Sequence, residues 1–225
     1  SLENNDIPGL DEDLKTRFLA ESLFIRAHYF YHLVQQFGDI PMPLKPTNSV
    51  ETTAHKTKVD EVWNQIVTDL EFAVENLPET YQASEFGHIT KYAAMHHLSR
   101  VYLTLKRSDD DLKKALNYAE QVINSGKYSL VKSHAELWDI NNKNNSEVLF
   151  SVLYTQNAEL NGDGNTAHMY FCSAYSEEHP AVKRVIEYGR PWSRERSSDF
   201  AISLFDKTKD QRWDDCFISR WNVTE

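Results

Sequence analysis

Residues Arg26 to Pro41 read RAHYFYHLVQQFGDIP, and how this stretch is understood decides the fold. It crowds an arginine, two histidines and several aromatic and aliphatic residues together, then halts at Gly-Asp-x-Pro. Such density suits either a catalytic cluster or a helix packed inside a larger helical array. The pattern from Leu14 to Phe37 is helical and apolar almost all round, so it predicts a helix covered on several sides. Gly38 is placed as a C-terminal cap, and Pro41, Pro43 and Pro46 bar continuation.

Further along, Val59, Val62, Trp63, Ile66, Leu70, Ala73, Val74 and Leu77 share one helical face, which predicts a helix over 58–77. Thr57 followed by Asp60 suggests its cap, and Pro78 lies just beyond its end. Thr90 can cap a helix over 88–106 with the stripe Ala94, Leu98, Val101, Tyr102 and Leu105. Ser108 to Asp111 opens another over 109–125, its acidic residues set against the positive N-terminal end. Gly126 terminates it. Antiparallel pairs follow, 14–37 with 58–77 and 88–106 with 109–125. Ala93, Ala94, Ala115 and Ala119 sit where the second pair must approach closely, as in a tetratricopeptide hairpin. Residues 11–126 therefore read as a helical hairpin array and 127–225 as a loop-rich part. Within the latter, Val148 to Tyr154 reads as a strand, Ser198 to Phe205 as a short helix, and 155–192 carry no sustained period.

Composition narrows the function. The 225 residues hold only 7 glycines and 7 prolines, which favours long helices over a many-stranded sandwich. The formal charge of −10, with no clustered basic patch, argues against nucleic acid as a partner. No apolar run reaches the roughly 18 residues of a membrane-spanning helix. The acidic start SLENNDIPGLDED is no signal peptide. Cys172 and Cys216 have no metal-ligand spacing; one bridge can form, and two unlinked thiols is the plainer reading.

The search for chemistry finds little. Asn161, Asp163 and Asn165 have the first spacings of a calcium loop, but Thr166 stands where glycine is needed and Cys172 where glutamate is needed. His96 and His97, adjacent on a helix, point about 100° apart and cannot chelate one ion together. His28 and His32 are one turn apart, yet lack the intervening glutamate of the zinc-protease motif and an evident third ligand. No nucleophile elbow, phosphate loop or dinucleotide fingerprint occurs. Neither a metal nor a cofactor is expected, nor an enzyme.

What remains is aromatic. Tyr188-Gly189-Arg190-Pro191-Trp192-Ser193-Arg194 places two aromatic rings and two arginines in a predicted loop. Flat rings pack on the CH faces of sugars, while arginine and asparagine bond hydroxyls. Trp192, Tyr188, Arg190, Arg194 and Asn165 are the candidate carbohydrate-binding residues. The rival reading has Trp192 plugging the core where the loop folds back.

FLAESLFIRAHYFYHLVQQFGDIPMP resembles the signature segment of the SusD/RagB family, surface glycan-binding lipoproteins of Bacteroidetes-type bacteria. The resemblance continues in order through VDEVWNQIVTDLEFAVENLP, GHITKYAAMHHLSRVYLTL, SEVLFSV, GRPWSR and LFDKTKDQRWDDCF, over about residues 17 to 218. It implies a mainly α fold of tetratricopeptide-like hairpins with a loop-rich part and one or a few short strands. Residues 1–225 would be a single such domain, truncated at both ends relative to full members. It also implies an oligosaccharide or polysaccharide ligand and a SusC-like TonB-dependent transporter as partner. The location would be the outer membrane, reached only through an N-terminal lipid not present in this chain. Arg26, Gly38, Asp39, Pro41 and Thr90 would be scaffold, with Arg26 paired to Glu21 or to an acid on a neighbouring helix. The alternative is a helical-repeat scaffold for proteins, with no sugar site.

Overall fold

The structure, a computed structural model, describes residues 9–46, 48–50, 52–155, 157, 159, 164–171 and 192–217. The described residues form two compact units, Ser1–Leu130 with Ser146–Ser151, and Val131–Asn145 with Val152–Glu225.

Among its described residues the first unit holds four α-helices: α1 (Glu12–Phe37), α2 (Val59–Asn76), α3 (Lys91–Leu105) and α4 (Asp109–Asn124). Named contacts fix their directions. Along α1 and α2, Arg26 meets Asp69, Tyr31 meets Trp63, and Asp39 meets Val59, so the two run antiparallel. Lys91 N–H bonds Pro78 C=O, Tyr102 bonds Glu71 and Arg107 bonds Asn64, so α3 turns back along α2. Ser99 bonds the Ala115 carbonyl and Arg107 bonds Asp111, which sets α4 antiparallel to α3. This is the expected hairpin array.

Its core is the seam between these helices. Phe24, Ile66, Leu70, Leu98, Val62, Val101 and Tyr102 are almost fully buried. Each such side chain contributes about 1.5–3 kcal/mol on burial, against about 0–1 for an exposed pair such as Lys114–Asp110. Apolar packing therefore decides the arrangement. Ala20, Ala27, Ala73, Ala93 and Ala94 are also buried, and their small side chains let the backbones approach.

The turn chemistry explains the boundaries. Gly38 has φ 66°, which favours glycine, and its N–H bonds the Val34 carbonyl to close α1. Thr90 accepts from the Ala93 N–H at 3.1 Å and caps α3 as expected, and Ser108 accepts from the Asp111 N–H at 3.4 Å where the acidic stretch opens α4. The expected cap by Thr57 is corrected. The α2 cap comes from across the loop, where Asp39 Oδ1 accepts from the Val59 N–H at 3.0 Å and Oδ2 from Lys58 at 2.9 Å. Thr57 instead gives its backbone N–H to the Ile40 carbonyl at 2.8 Å.

Two further expectations need correction. Among the described residues α1 is covered on one side, not on several. Ala20, Phe24, Ala27, Phe30, Tyr31 and Val34 face the core, while Ile25, Tyr29, Leu33 and Phe37 are exposed along the other face, because α2 and α3 both dock on the same side. Nor is there a strand at 148–154; no strand occurs among the described residues. Among the described residues the run has no parallel or antiparallel neighbour to complete a ladder. It is held instead by side chains, with the Phe150 ring edge-on to Phe24 at 5.2 Å.

The second unit holds short helices: α5 (His134–Trp138), α6 (Ala167–Phe171), α7 (Asp199–Ser203) and α8 (Arg212–Cys216). Ser133 caps α5 and Ser198 caps α7. Phe205, Trp213 and Phe217 stack together beside α8, with Lys207 4.0 Å above the Trp213 ring. No described helix is long and apolar enough to cross a membrane.

Candidate functional site

The polar groups of the opening stretch resolve into structural roles. Arg26 makes a bidentate pair with Asp69 on α2, both contacts 2.7 Å, and Gln65 donates a third bond to the same carboxylate. Of the two partners expected, the neighbouring-helix acid is the one found. Glu21 instead accepts from the Tyr81 hydroxyl at 2.9 Å and lies 2.8 Å from His88 Nδ1. Burial first, and then the Glu21 bond, raise the Tyr81 phenol above its usual range.

The histidines gather at the α1–α3 seam. His28 and His32 stand edge to face at 4.7 Å, and His97 lies 5.4 Å from His28 and 5.0 Å from Tyr31. Burial pushes the His97 imidazole down to about 3, with His28 and Arg100 adding to the effect. Burial, then His32 and Arg100, also lowers His28. His97 is therefore neutral at pH 7, and its ring packs against those of His28 and Tyr31. Among the described residues no three histidine, cysteine, aspartate or glutamate side chains are placed to hold a metal ion.

Of the sequence-selected residues, Tyr188 and Arg190 lie outside the described residues, as does Cys172. Cys216 is an exposed free thiol. Asn165 Oδ1 accepts from the Ala167 N–H at 3.0 Å at the start of α6. The structure brings Trp192 and Arg194 together with a residue that sequence reading missed, Tyr170. The Trp192 and Tyr170 rings meet edge to face at 5.1 Å. The Arg194 guanidinium lies 4.9 Å from the Trp192 ring centre and 5.3 Å from that of Tyr170. Backbone bonds fix the turn: Trp192 N–H to Met169 C=O at 2.8 Å, and Arg194 and Glu195 N–H to Tyr170 C=O, both 3.0 Å. Ser193 between them has φ 48°, an uncommon conformation for a non-glycine residue. Trp192 is half-buried and Arg194 exposed, so the cluster combines a flat apolar face with a cationic donor. No periodicity marks Tyr170 in the sequence, because α6 is too short to show a stripe.

Comparison with known proteins bears on this arrangement. Residues 3–103 match the SusD-like family profile described as starch-binding and associating with the outer membrane. SusD-like protein P2 of Formosa agariphila is 30% identical over 199 residues, 86% of this chain and 37% of its own length. A solved laminarin-binding SusD-like protein superposes with a TM-score of 0.60 at 29% identity, covering 69% of this chain and 34% of that one. A structure solved with xylogluco-oligosaccharide gives 0.61 at 26% identity, covering 65% of this chain and 31% of that one. The chain thus spans between 28% and 37% of the length of the curated relatives it matches.

Proposed function

Because the chain belongs to the SusD-like family, we propose that it is a glycan-binding protein of the cell surface. It works beside a SusC-like TonB-dependent transporter of the outer membrane, attached there through an N-terminal lipid. Its role is capture of oligosaccharide for uptake, without catalysis. The observation that supports this most is the likeness to the laminarin-binding SusD-like protein over 69% of the chain.

In this reading residues 1–225 act as one domain, with 11–126 as scaffold and 127–225 carrying the ligand surface. Trp192 and Arg194, with Tyr188, Arg190 and Asn165, make the sugar contacts. Stacking and hydroxyl bonding divide the work: the rings take the CH faces of the sugar, and the arginine and asparagine donors take its oxygens. The scaffold is made of satisfied groups such as Arg26–Asp69, which suits rigidity rather than turnover.

Calorimetry against a panel of oligosaccharides tests the proposal. Heat from at least one saccharide, lost in Trp192→Ala with helical circular dichroism unchanged, is the expected result. Silence across neutral and acidic saccharides alike would instead favour a protein-binding scaffold.

A further inference from the structure

Arg194 is held by aromatic rings rather than by a carboxylate, as Arg100 is over Tyr31. Arg26, Arg107 and Arg212 each meet a carboxylate at 3.0 Å or less. Among the described residues no carboxylate pairs with Arg194, whose side chain is engaged only by the Trp192 and Tyr170 rings. A cation over a ring is attracted by the ring quadrupole and gives up no N–H donor in doing so. The guanidinium therefore keeps its donors, in a fork whose geometry fits a carboxylate or a sulfate.

The same contact constrains stacking. Arg194 already covers part of one face of Trp192, at 4.9 Å from the ring centre. A neutral sugar laid on that face must displace the guanidinium and forfeit the cation–π attraction. A sugar bearing an anionic group need not, since it can dock against the exposed edge of Arg194 and the remaining ring surface together. The turn is built to keep this geometry, with three backbone bonds to Met169 and Tyr170 and the left-handed Ser193 between the two side chains. The formal charge of −10 repels anions at long range, so selection must come from contact at this site rather than from the overall field.

We propose that the Tyr170–Trp192–Arg194 cluster takes an acidic saccharide, whose carboxylate or sulfate pairs with the Arg194 guanidinium while the sugar ring rests on the aromatic surface. This rests on the reading of the segment as a glycan site.

Calorimetry on the 225-residue chain tests it with matched probes. One pair is tetragalacturonate and its methyl ester; the other is a carrageenan oligosaccharide and its desulfated form. Tighter binding of the charged member by about tenfold, the effect of one charge-assisted pair, is expected in at least one pair. The pair that discriminates tells carboxylate from sulfate. Arg194→Gln should abolish the difference while leaving weak binding of the neutral member, and Arg194→Lys should keep part of it. Equal binding of charged and neutral members, unaffected by Arg194→Gln, overturns the acidic preference and leaves glycan binding standing. Absence of heat from all four probes and from neutral laminari- and cello-oligosaccharides overturns both.

Discussion

Arg26 on α1 and Asp69 on α2 are joined by two parallel hydrogen bonds of 2.7 Å, with the Asp69 side chain 1% exposed and the Arg26 side chain 27%. The unequal burial makes the two single deletions unequal. Arg26→Met strands a buried charge and should cost about 3–5 kcal/mol, the range for breaking a buried pair. Asp69→Leu leaves a guanidinium near water and should cost less. The double variant should recover much of the loss. Urea unfolding followed by circular dichroism measures all three; equal costs for the two single variants would contradict the burial argument.

Asp39 ties the Gly-Asp-x-Pro turn to the start of α2. Its carboxyl is lowered by the Lys58 bond first and then by the Val59 N–H. A depressed value means the contribution is present above the unfolded value of about 3.9 and is lost as pH falls through the folded one. Asp39→Ala should lower the melting temperature, whereas Asp39→Asn, which keeps the capping oxygen, should lower it less. If the two variants melt alike, the cap is not what the aspartate contributes.

His97 supplies a separate acid response. Its folded value of about 3 lies below the unfolded 6.5, so the unfolded chain binds more protons between them. Stability should then fall as pH drops below 6.5, by up to about 1.4 kcal/mol per pH unit. His28 and His96 act with the same sign, each lowered by burial first, while Arg100 supplies positive charge nearby. His97→Leu should flatten the profile between pH 6.5 and about 4.5, a window above the carboxylate range. An unchanged slope in that window would mean His97 is already solvated.

Much of the helical array was legible because its signals are local. The α2 stripe, the Thr90 cap, the helix start at Ser108 to Asp111 and the Gly38 stop depend on residues a few positions apart, and each is found where the pattern placed it. Errors arose where a partner is distant in sequence. The α2 cap lies 20 residues upstream, at Asp39, so Thr57 was the nearer and mistaken choice. Val148–Tyr154 has strand-like residues, but a strand also needs a neighbour, which a propensity cannot supply. The all-round apolarity of α1 could not say that α2 and α3 would share one face. At the site, Trp192 and Arg194 stood out as a local pair, whereas Tyr170 joins them only through the fold.

Tyr170 gives a prediction of its own. Its ring meets Trp192 edge to face and lies under the Arg194 guanidinium. Tyr170→Phe should bind saccharide like the parent, while Tyr170→Ala should weaken binding severalfold, since a cation–π contact is worth about 0.5–2 kcal/mol. Calorimetry with the best saccharide of the panel reads both. Loss of affinity in Tyr170→Phe would show that the hydroxyl, rather than the ring, makes the contact.

Hydrogen–deuterium exchange with and without that saccharide maps where the ligand sits. The account predicts slower exchange at residues 169–171 and 192–195, with α1 to α4 unchanged. Protection confined to the helices between Glu12 and Asn124 would contradict it, because capture would then belong to the array and not to the aromatic turn.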